Sequence, residues 1–208
     1  MGNTFSFFQE FLKHPTSIGA IAPSSQELAR EMMKQACVAD CQALAEFGAG
    51  TGVFTKAALQ TLPENSTFIA IEQSPAMVQY LREELERDII KNQPPWCRRY
   101  AEAPVYCDTA ENLPQLMQQN HVTQLDAIIS GLPWAAFSDD LQDRLLQVAL
   151  DGLKPGGYFC TFAYLQGLLL PAGKHFAKKI SSRFASVEKS RIIWANLPPA
   201  FIYRCRKA

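Results

Sequence analysis

The chain has 208 residues, 48% of them hydrophobic, which is enough for one core and one domain. No apolar stretch approaches the roughly 20 residues that span a bilayer, and the N-terminus lacks the basic start and small-residue cleavage site of a secretory leader, so a cytoplasmic protein is expected. Lys plus Arg equals Asp plus Glu at 20 each, so no bulk positive charge draws the chain to nucleic acid.

Residues 4–13 have helical periodicity. Phe5, Phe7, Phe8, Phe11 and Leu12 fall on one arc, with Ser6, Gln9, Glu10 and Lys13 opposite, and Pro15 limits the helix. Its apolar arc suits packing on a core or lying in a membrane interface. Residues 15–25 read as extended. Ser24 with Glu27 forms a capping box for a helix through Lys34. From residue 43 strands and helices alternate. Strands are expected over residues 43–47, 67–72, 105–107, 126–130 and 158–163. Helices are expected over 53–61, 75–88, 139–153 and 172–182, with a loop at 92–99. Met77, Leu81 and Leu85 share one side of the second of these helices, and Lys154-Pro-Gly-Gly157 ends the third. Residues 183–194 and 200–206 read as two strands with no helix between them. The pattern predicts an α/β fold. It is a Rossmann-like, doubly wound sheet of about seven strands, with an antiparallel C-terminal hairpin and an N-terminal helical cap. A single domain spans residues 1–208, with the cap over 1–42 and the core over 43–206.

The run Glu46-Phe47-Gly48-Ala49-Gly50-Thr51-Gly52 lies between the first strand and the first core helix, and Glu72 closes the second strand. Glycines at such a turn let the backbone approach a ligand, and the acid suits ribose hydroxyls. A carboxylate two residues before the first glycine repels a pyrophosphate but suits a cationic amine. S-adenosylmethionine carries an amine and a sulfonium and no phosphate, so the spacing favours it as cofactor.

The six cysteines fit neither a disulfide framework nor a zinc site and are expected reduced and mostly buried, including Cys107 and Cys160 in strand-like runs. No metal is expected. Residues 174–208 hold nine basic residues against Glu188 alone, a local balance of +8 that the rest of the chain offsets. This reads either as solvated ends of elements or as a basic face for anionic lipid or nucleic acid.

Residues 46–52, Glu72, Asp108 after the third strand, Gly131-Leu-Pro-Trp134 after the fourth and Leu153-Lys-Pro-Gly-Gly157 before the fifth together resemble the class I S-adenosylmethionine-dependent methyltransferases across about residues 43–206. The stretches Ile18-Gly-Ala-Ile-Ala-Pro-Ser-Ser25, Ser130-Gly-Leu-Pro-Trp134 and Ala195-Asn-Leu-Pro-Pro-Ala200 look like the soluble bacterial phospholipid N-methyltransferases, which methylate phosphatidylethanolamine towards phosphatidylcholine. That resemblance implies a phospholipid substrate in an anionic membrane surface, and peripheral attachment to the inner face of the membrane without a transmembrane segment. Residues 5–13 depart from it in being poor in basic side chains. No stable nucleic-acid partner is expected, and the oligomeric state is left open.

The resemblance implies cofactor contacts from Glu46, Gly48, Gly50, Gly52, Glu72, Gln73, Asp108, Thr109, Ala110 and Ser130. Asp108 would take the adenine amine, with Gln73 or Ala110 along the ring. Gly131, Leu132, Pro133, Trp134, Arg191 and Asn196 are expected at the substrate. Carbonyls of residues 130–132 are placed to accept amine hydrogens. Trp134 is suited to hold a methylammonium over its ring, and Tyr164 to complete a cage or take a proton. Arg191 or Arg204 suits a lipid phosphate. Plain packing is the other reading of Trp134 and Tyr164, and a simple turn that of residues 196–199. The competing functions are an RNA adenine N6-dimethyltransferase, a small-molecule methyltransferase and a non-enzymatic cofactor-binding protein. The RNA enzymes usually carry Asn or Asp where this chain has Gly131, and an additional helical domain.

Overall fold

A computed structural model describes residues 24–92 and 105–208. The expected helix over residues 4–13 and nearly all of the expected loop over 92–99 lie outside the described residues. Helix α1, Gln26–Gln35, buries Leu28, Ala29, Met32 and Met33. Its N-cap is Ser25, one residue later than expected, and the Ser25 hydroxyl accepts from the Leu28 amide at 3.1 Å. The shift has a tertiary cause. The Ser25 amide donates to Asn196 Oδ1 at 2.9 Å, which fixes that residue as the extended boundary of the helix.

The core follows as β1 (Ala43–Phe47), α2 (Val53–Thr61), β2 (Thr67–Glu72), α3 (Pro75–Asn92), β3 (Val105–Cys107), α4 (Leu113–Gln119), β4 (Leu125–Ser130), α5 (Asp139–Gly152), β5 (Leu153–Tyr164), α6 (Pro171–Arg183), β6 (Ser186–Lys189) and β7 (Ala200–Arg206). The strands form one seven-stranded sheet in the order β3-β2-β1-β4-β5-β7-β6. β3, β2, β1, β4 and β5 are parallel, whereas β7 is antiparallel to both β5 and β6. The doubly wound, Rossmann-like α/β sheet expected from the alternation is therefore present, with its antiparallel C-terminal pair.

Besides α3, which runs to Asn92 where Asp88 was expected as its end, three elements differ from the sequence reading by more than a residue or two. The first is α4, which was not foreseen. Its buried Leu113, Leu116 and Met117 keep helical spacing, but the segment is only seven residues long and rich in Gln. The second is β5, which begins five residues earlier than expected. The Lys154-Pro-Gly-Gly157 stretch forms an irregularity within the strand, so that Leu125 faces Leu153 while Ala127 faces Tyr158. The third is the expected strand over 183–194, which contracts to Ser186–Lys189. Beyond it, Ser190 still pairs through its backbone with Ile202, and Ile193 bridges to Ala200.

The two faces of the sheet carry separate cores. Leu44, Ala70, Ala127, Ile129, Cys160 and Ile202 pack towards α1, α2 and α3. Ala45, Phe47, Ile71, Ile128, Phe159 and Phe201 pack towards α4, α5 and α6. This is the period-two alternation of strands covered on both faces. Cys41, Cys160 and Cys205 are buried, and burial pushes the Cys41 thiol up to about 12. Cys107 is exposed, contrary to expectation, because β3 is the edge strand of the sheet.

Asn196 is 3% exposed and joins distant parts of the chain. Its Oδ1 accepts from Ser25, and its Nδ2 donates to the Pro198 carbonyl at 2.8 Å. Asn196→Ala strands both backbone groups. It is expected to lower stability by about 1–3 kcal/mol in urea denaturation.

Candidate active site

The glycine turn sits at the C-terminal end of β1, where it leads into α2. Gly48, Gly50 and Gly52 all have positive φ, at 76°, 52° and 81°. Gly50 faces free space, since a Cβ built there meets no atom within 4 Å. This is the open side of the turn on which a ligand can lie against the backbone.

Glu72, at the end of β2, is 6% exposed. Its Oε2 accepts from the Gly50 amide and its Oε1 from the Ser74 amide, both at 2.9 Å. Two backbone donors thus fix the carboxylate, and each oxygen keeps a further lone pair for a hydroxyl. Asp108 follows β3 and is joined to the same group by its amide, which donates to the Glu72 carbonyl at 3.2 Å. Asp108 Oδ1 accepts from the Thr109 amide and from Asn112 Nδ2, both at 2.7 Å. Its Oδ2 has no partner among the described residues. Ala110 is buried beneath this turn, and Gln73 is exposed at its rim.

Glu46 is fully buried beneath the turn. Its Oε2 accepts from the Thr55 hydroxyl of α2 at 2.7 Å, while Oε1 has no partner. Burial pushes its carboxyl up from 4.5 to about 8, partly opposed by the Thr55 hydrogen bond. A cationic amine nearby would reverse that shift, so an orphaned buried carboxylate oxygen fits a positively charged cofactor group. The open face at Gly50, the fixed carboxylate of Glu72 and the free oxygen of Asp108 fit the sugar and base of the same molecule.

The loop after β4 closes on this turn. The Gly131 amide donates to the Phe47 carbonyl at 2.8 Å. A Cβ on Gly131 would sit 2.7 Å from the Gly48 carbonyl oxygen, so no side chain fits there. Ser130 is fully buried, and its hydroxyl accepts from Trp134 Nε1 at 2.9 Å and from the Leu132 amide at 3.3 Å. It therefore shapes the loop from within. Its carbonyl accepts the Thr161 hydroxyl at 3.2 Å, and the Leu132 carbonyl accepts the Trp134 amide at 3.0 Å. The Gly131 carbonyl has no partner among the described residues. Leu132 and Pro133 are half-buried beside it.

Several expected substrate groups are placed elsewhere. Trp134 is 3% exposed, stacked on Phe176 at 5.3 Å and met edge-on by Phe159 at 5.4 Å. Its ring belongs to the core and offers no free face to a methylammonium. Arg191 points to α1, where it pairs with Glu27 at 2.9 Å and Glu31 at 3.3 Å. Arg204 lies over the Tyr158 ring at 4.0 Å and within 3.8 Å of Glu188. Asn196 is committed to the backbone contacts described above. Each of these changes has the same cause, since partners distant in sequence occupy the group first. Tyr164, by contrast, ends β5 half-buried, and no hydroxyl partner occurs among the described residues. Its ring meets Phe162 at 5.6 Å, and Phe162 meets Phe54 of α2 at 5.9 Å. Burial raises the Tyr164 phenol, which therefore stays protonated at neutral pH. Thr55 is the site residue that sequence reading missed. Helical placement three residues after Gly52 was its signal.

A sheet of this order, parallel but for β7, an acid-flanked glycine turn after β1 and carboxylates at the ends of β2 and β3 define a class I S-adenosylmethionine-dependent methyltransferase. A methyltransferase domain model matches residues 44–157, more than half of the chain, and the chain belongs to that family. It is similar to an ornithine lipid N-methyltransferase of Singulisphaera acidiphila, at 29% identity over 206 residues, covering 99% of this chain and 97% of that one. Solved structures share the fold. An O-methyltransferase of Bacillus cereus in complex with SAH superposes with TM-score 0.66 at 14% identity, covering 97% of this chain and 91% of that one. A putative O-methyltransferase of Klebsiella pneumoniae superposes with TM-score 0.67 at 13% identity, covering 100% of this chain and 92% of that one. The protein is a methyltransferase with S-adenosylmethionine as its cofactor.

Two outcomes check this site. Glu72→Ala and Asp108→Ala should each weaken S-adenosylmethionine binding by roughly 10-fold or more in calorimetry, the value of one charge-assisted hydrogen bond. Unchanged affinity in both would remove these residues from the site. The second outcome concerns the cofactor-free protein. Glu46 has its carboxyl raised from 4.5 to about 8, so between those pH values the folded state holds a proton that the unfolded state has released. Stability should therefore fall as pH rises through that window, with a slope approaching about 1.4 kcal/mol per pH unit from this group. Glu46→Gln should remove that component in urea denaturation between pH 5 and pH 8.

Proposed function

We propose that this methyltransferase methylates the amine of a membrane lipid, phosphatidylethanolamine or its methylated derivatives, towards phosphatidylcholine. The observation that carries lipid N-methylation is the similarity to the ornithine lipid enzyme, which extends over nearly the whole of both chains and so includes the C-terminal loops beyond residue 157. The same observation favours a second head group, the amine of an ornithine lipid.

The cofactor, when bound, supplies an electrophilic methyl group on a sulfonium. The chain's part is to hold an amine in line and in its neutral form. An alkylamine has a pKa near about 10.4, so a neutral pH leaves most of it protonated. Half-buried surroundings at Leu132, Pro133 and Tyr164 favour loss of that proton. The unpartnered Gly131 carbonyl would accept an amine hydrogen and direct the lone pair. With Trp134 committed to the core, Tyr164, at the end of β5 beside this loop, is the aromatic proposed to face a methylammonium. Its protonated phenol suits a cage wall better than a base.

The RNA reading loses support at Gly131. An Asn or Asp at that position would collide with the Gly48 carbonyl, so this loop lacks the side-chain amide or acid that holds an adenine amine.

The test uses the purified full chain, labelled S-adenosylmethionine and four acceptors: phosphatidylethanolamine vesicles, ornithine-lipid vesicles, RNA and small amines. Label is expected in a lipid amine. Label in RNA or small amines alone would sink the proposal, and label in ornithine lipid alone would replace the head group. Tyr164→Ala should slow the later methylations roughly 3- to 30-fold more than the first, the value of one cation–π contact. Tyr164→Phe should retain that discrimination.

A further inference from the structure

The sheet edge that carries the glycine turn also carries an apolar surface unused by the methyl-transfer site. β5 and β7 meet there, with Tyr164 opposite Ala200. The Leu165 amide donates to the Pro199 carbonyl at 2.8 Å, tying together the loops that leave this junction. One loop carries Leu169 and Leu170, 78% and 56% exposed, and the other carries Trp194 and Leu197, 67% and 69% exposed.

Within their own sequence these loops carry charge of one sign. Residues 163–178 and 190–199 contain no Asp or Glu. The nine basic residues after 173 are mostly engaged inside the fold. Lys179 pairs with Asp139 and Asp143, Arg183 with Asp143, and Arg191 with α1. Lys207 Nζ donates to the Leu150 and Leu153 carbonyls at 2.6 Å, and Lys189 lies over Phe201 and Tyr203. Lys174 and Lys178 have no side-chain partner among the described residues. They are exposed one turn apart on α6, directly after Leu169 and Leu170.

We propose that this edge docks on the surface of an anionic lipid bilayer. Leu169, Leu170, Trp194 and Leu197 enter the headgroup region, and Lys174 and Lys178 meet lipid phosphates. A Trp beside leucines suits a membrane interface, where an apolar body with a polar handle is favoured. Two cations with no salt-bridge partner among the described residues complement anionic lipid, the nearby Asp139 being engaged by His175 and Lys179. The inference rests on the lipid-amine reading in one respect, since docking at this edge turns the sheet end that carries Tyr164 towards the membrane. No helix among the described residues is long and apolar enough to cross it, so the contact is peripheral.

The experiment compares the full chain with two double variants, Leu169→Ser with Leu170→Ser and Trp194→Ser with Leu197→Ser, and with Lys174→Gln with Lys178→Gln. Sedimentation is measured with phosphatidylcholine vesicles with and without phosphatidylglycerol. The parent should sediment with anionic vesicles and be released by high salt. Each apolar double variant should reduce the bound fraction several-fold. The lysine variant should weaken partitioning by roughly 5- to 30-fold, the effect of one to two charges near an anionic surface at about 1 kcal/mol each. S-adenosylmethionine affinity should not change in any of them. Sedimentation of all three variants like the parent overturns the proposal. So does unchanged sedimentation with faster proteolysis within residues 1–23, which makes the chain's own N-terminal segment the occupant. A parent dimer that becomes monomeric in the variants, with vesicle binding unaltered, assigns the patch to a second copy and also overturns it. Loss of vesicle binding in a protein that methylates no lipid amine upholds the docking surface and sinks the lipid-methylation reading alone.

Discussion

The bond from the Gly50 amide to the Glu72 carboxylate ties the glycine turn of the first strand to the end of the second. The Ser74 amide holds the same carboxylate from the other side, and the Asp108 amide binds the adjacent carbonyl. Three strand ends are thereby locked around one acid before any ligand arrives. The conformation leaves the outer face of Gly50 open, and preorganisation of this kind reduces the ordering cost of binding. Glu46 lies below with an unpaired oxygen, a cost that a cationic ligand group offsets.

The loop after β4 depends on the same turn. Gly131 lies so close to the Gly48 carbonyl that only glycine fits, and Ser130 and Trp134 brace the loop from the core. The loop therefore presents backbone, not a side chain, to an acceptor. Backbone carbonyls without a charged side chain suit an amine that must lose its proton and then gain methyl groups. Tyr164 stands one strand further along, at the junction where the antiparallel β7 begins. The glycine turn, the loop after β4 and the exposed apolar loops thus share one edge of the sheet, the arrangement that the proposed reaction on a lipid head group would use.

The fold was legible because its signals are local and strongly periodic. The expected bounds of β1, α2, β2, β3 and β7 coincide with those observed. The failures lie where tertiary partners compete. Seven residues of α4 are too few for a clear period, and β5 extends because Leu153 pairs with Leu125 of β4 while Gly156 and Gly157 exchange backbone bonds with Lys207 just beyond β7. The strand over 183–194 shortens because pairing with β7 continues only part of the way.

The positions of the glycine turn, Glu72 and Asp108 at neighbouring strand ends were legible in the sequence, since a turn and the ends of strands are set by spacing along the chain. The roles of Trp134, Arg191, Arg204 and Asn196 were decided by the folded structure. A Trp beside a catalytic loop and an Arg in a basic tail carry the same letters whether free or engaged. Phe176, Glu27, Glu31, Glu188 and the Ser25 amide engage them from positions that sequence spacing does not relate. For the same reason the +8 of the C-terminal region was a property of the sequence, while the engagement of most of those charges, leaving Lys174, Lys178 and Arg206 exposed without an ion-pair or aromatic partner among the described residues, was decided by packing. Sequence determines which groups are present and the period on which they repeat; only the tertiary fold brings distant groups within the few ångströms over which charge and aromatic contacts act.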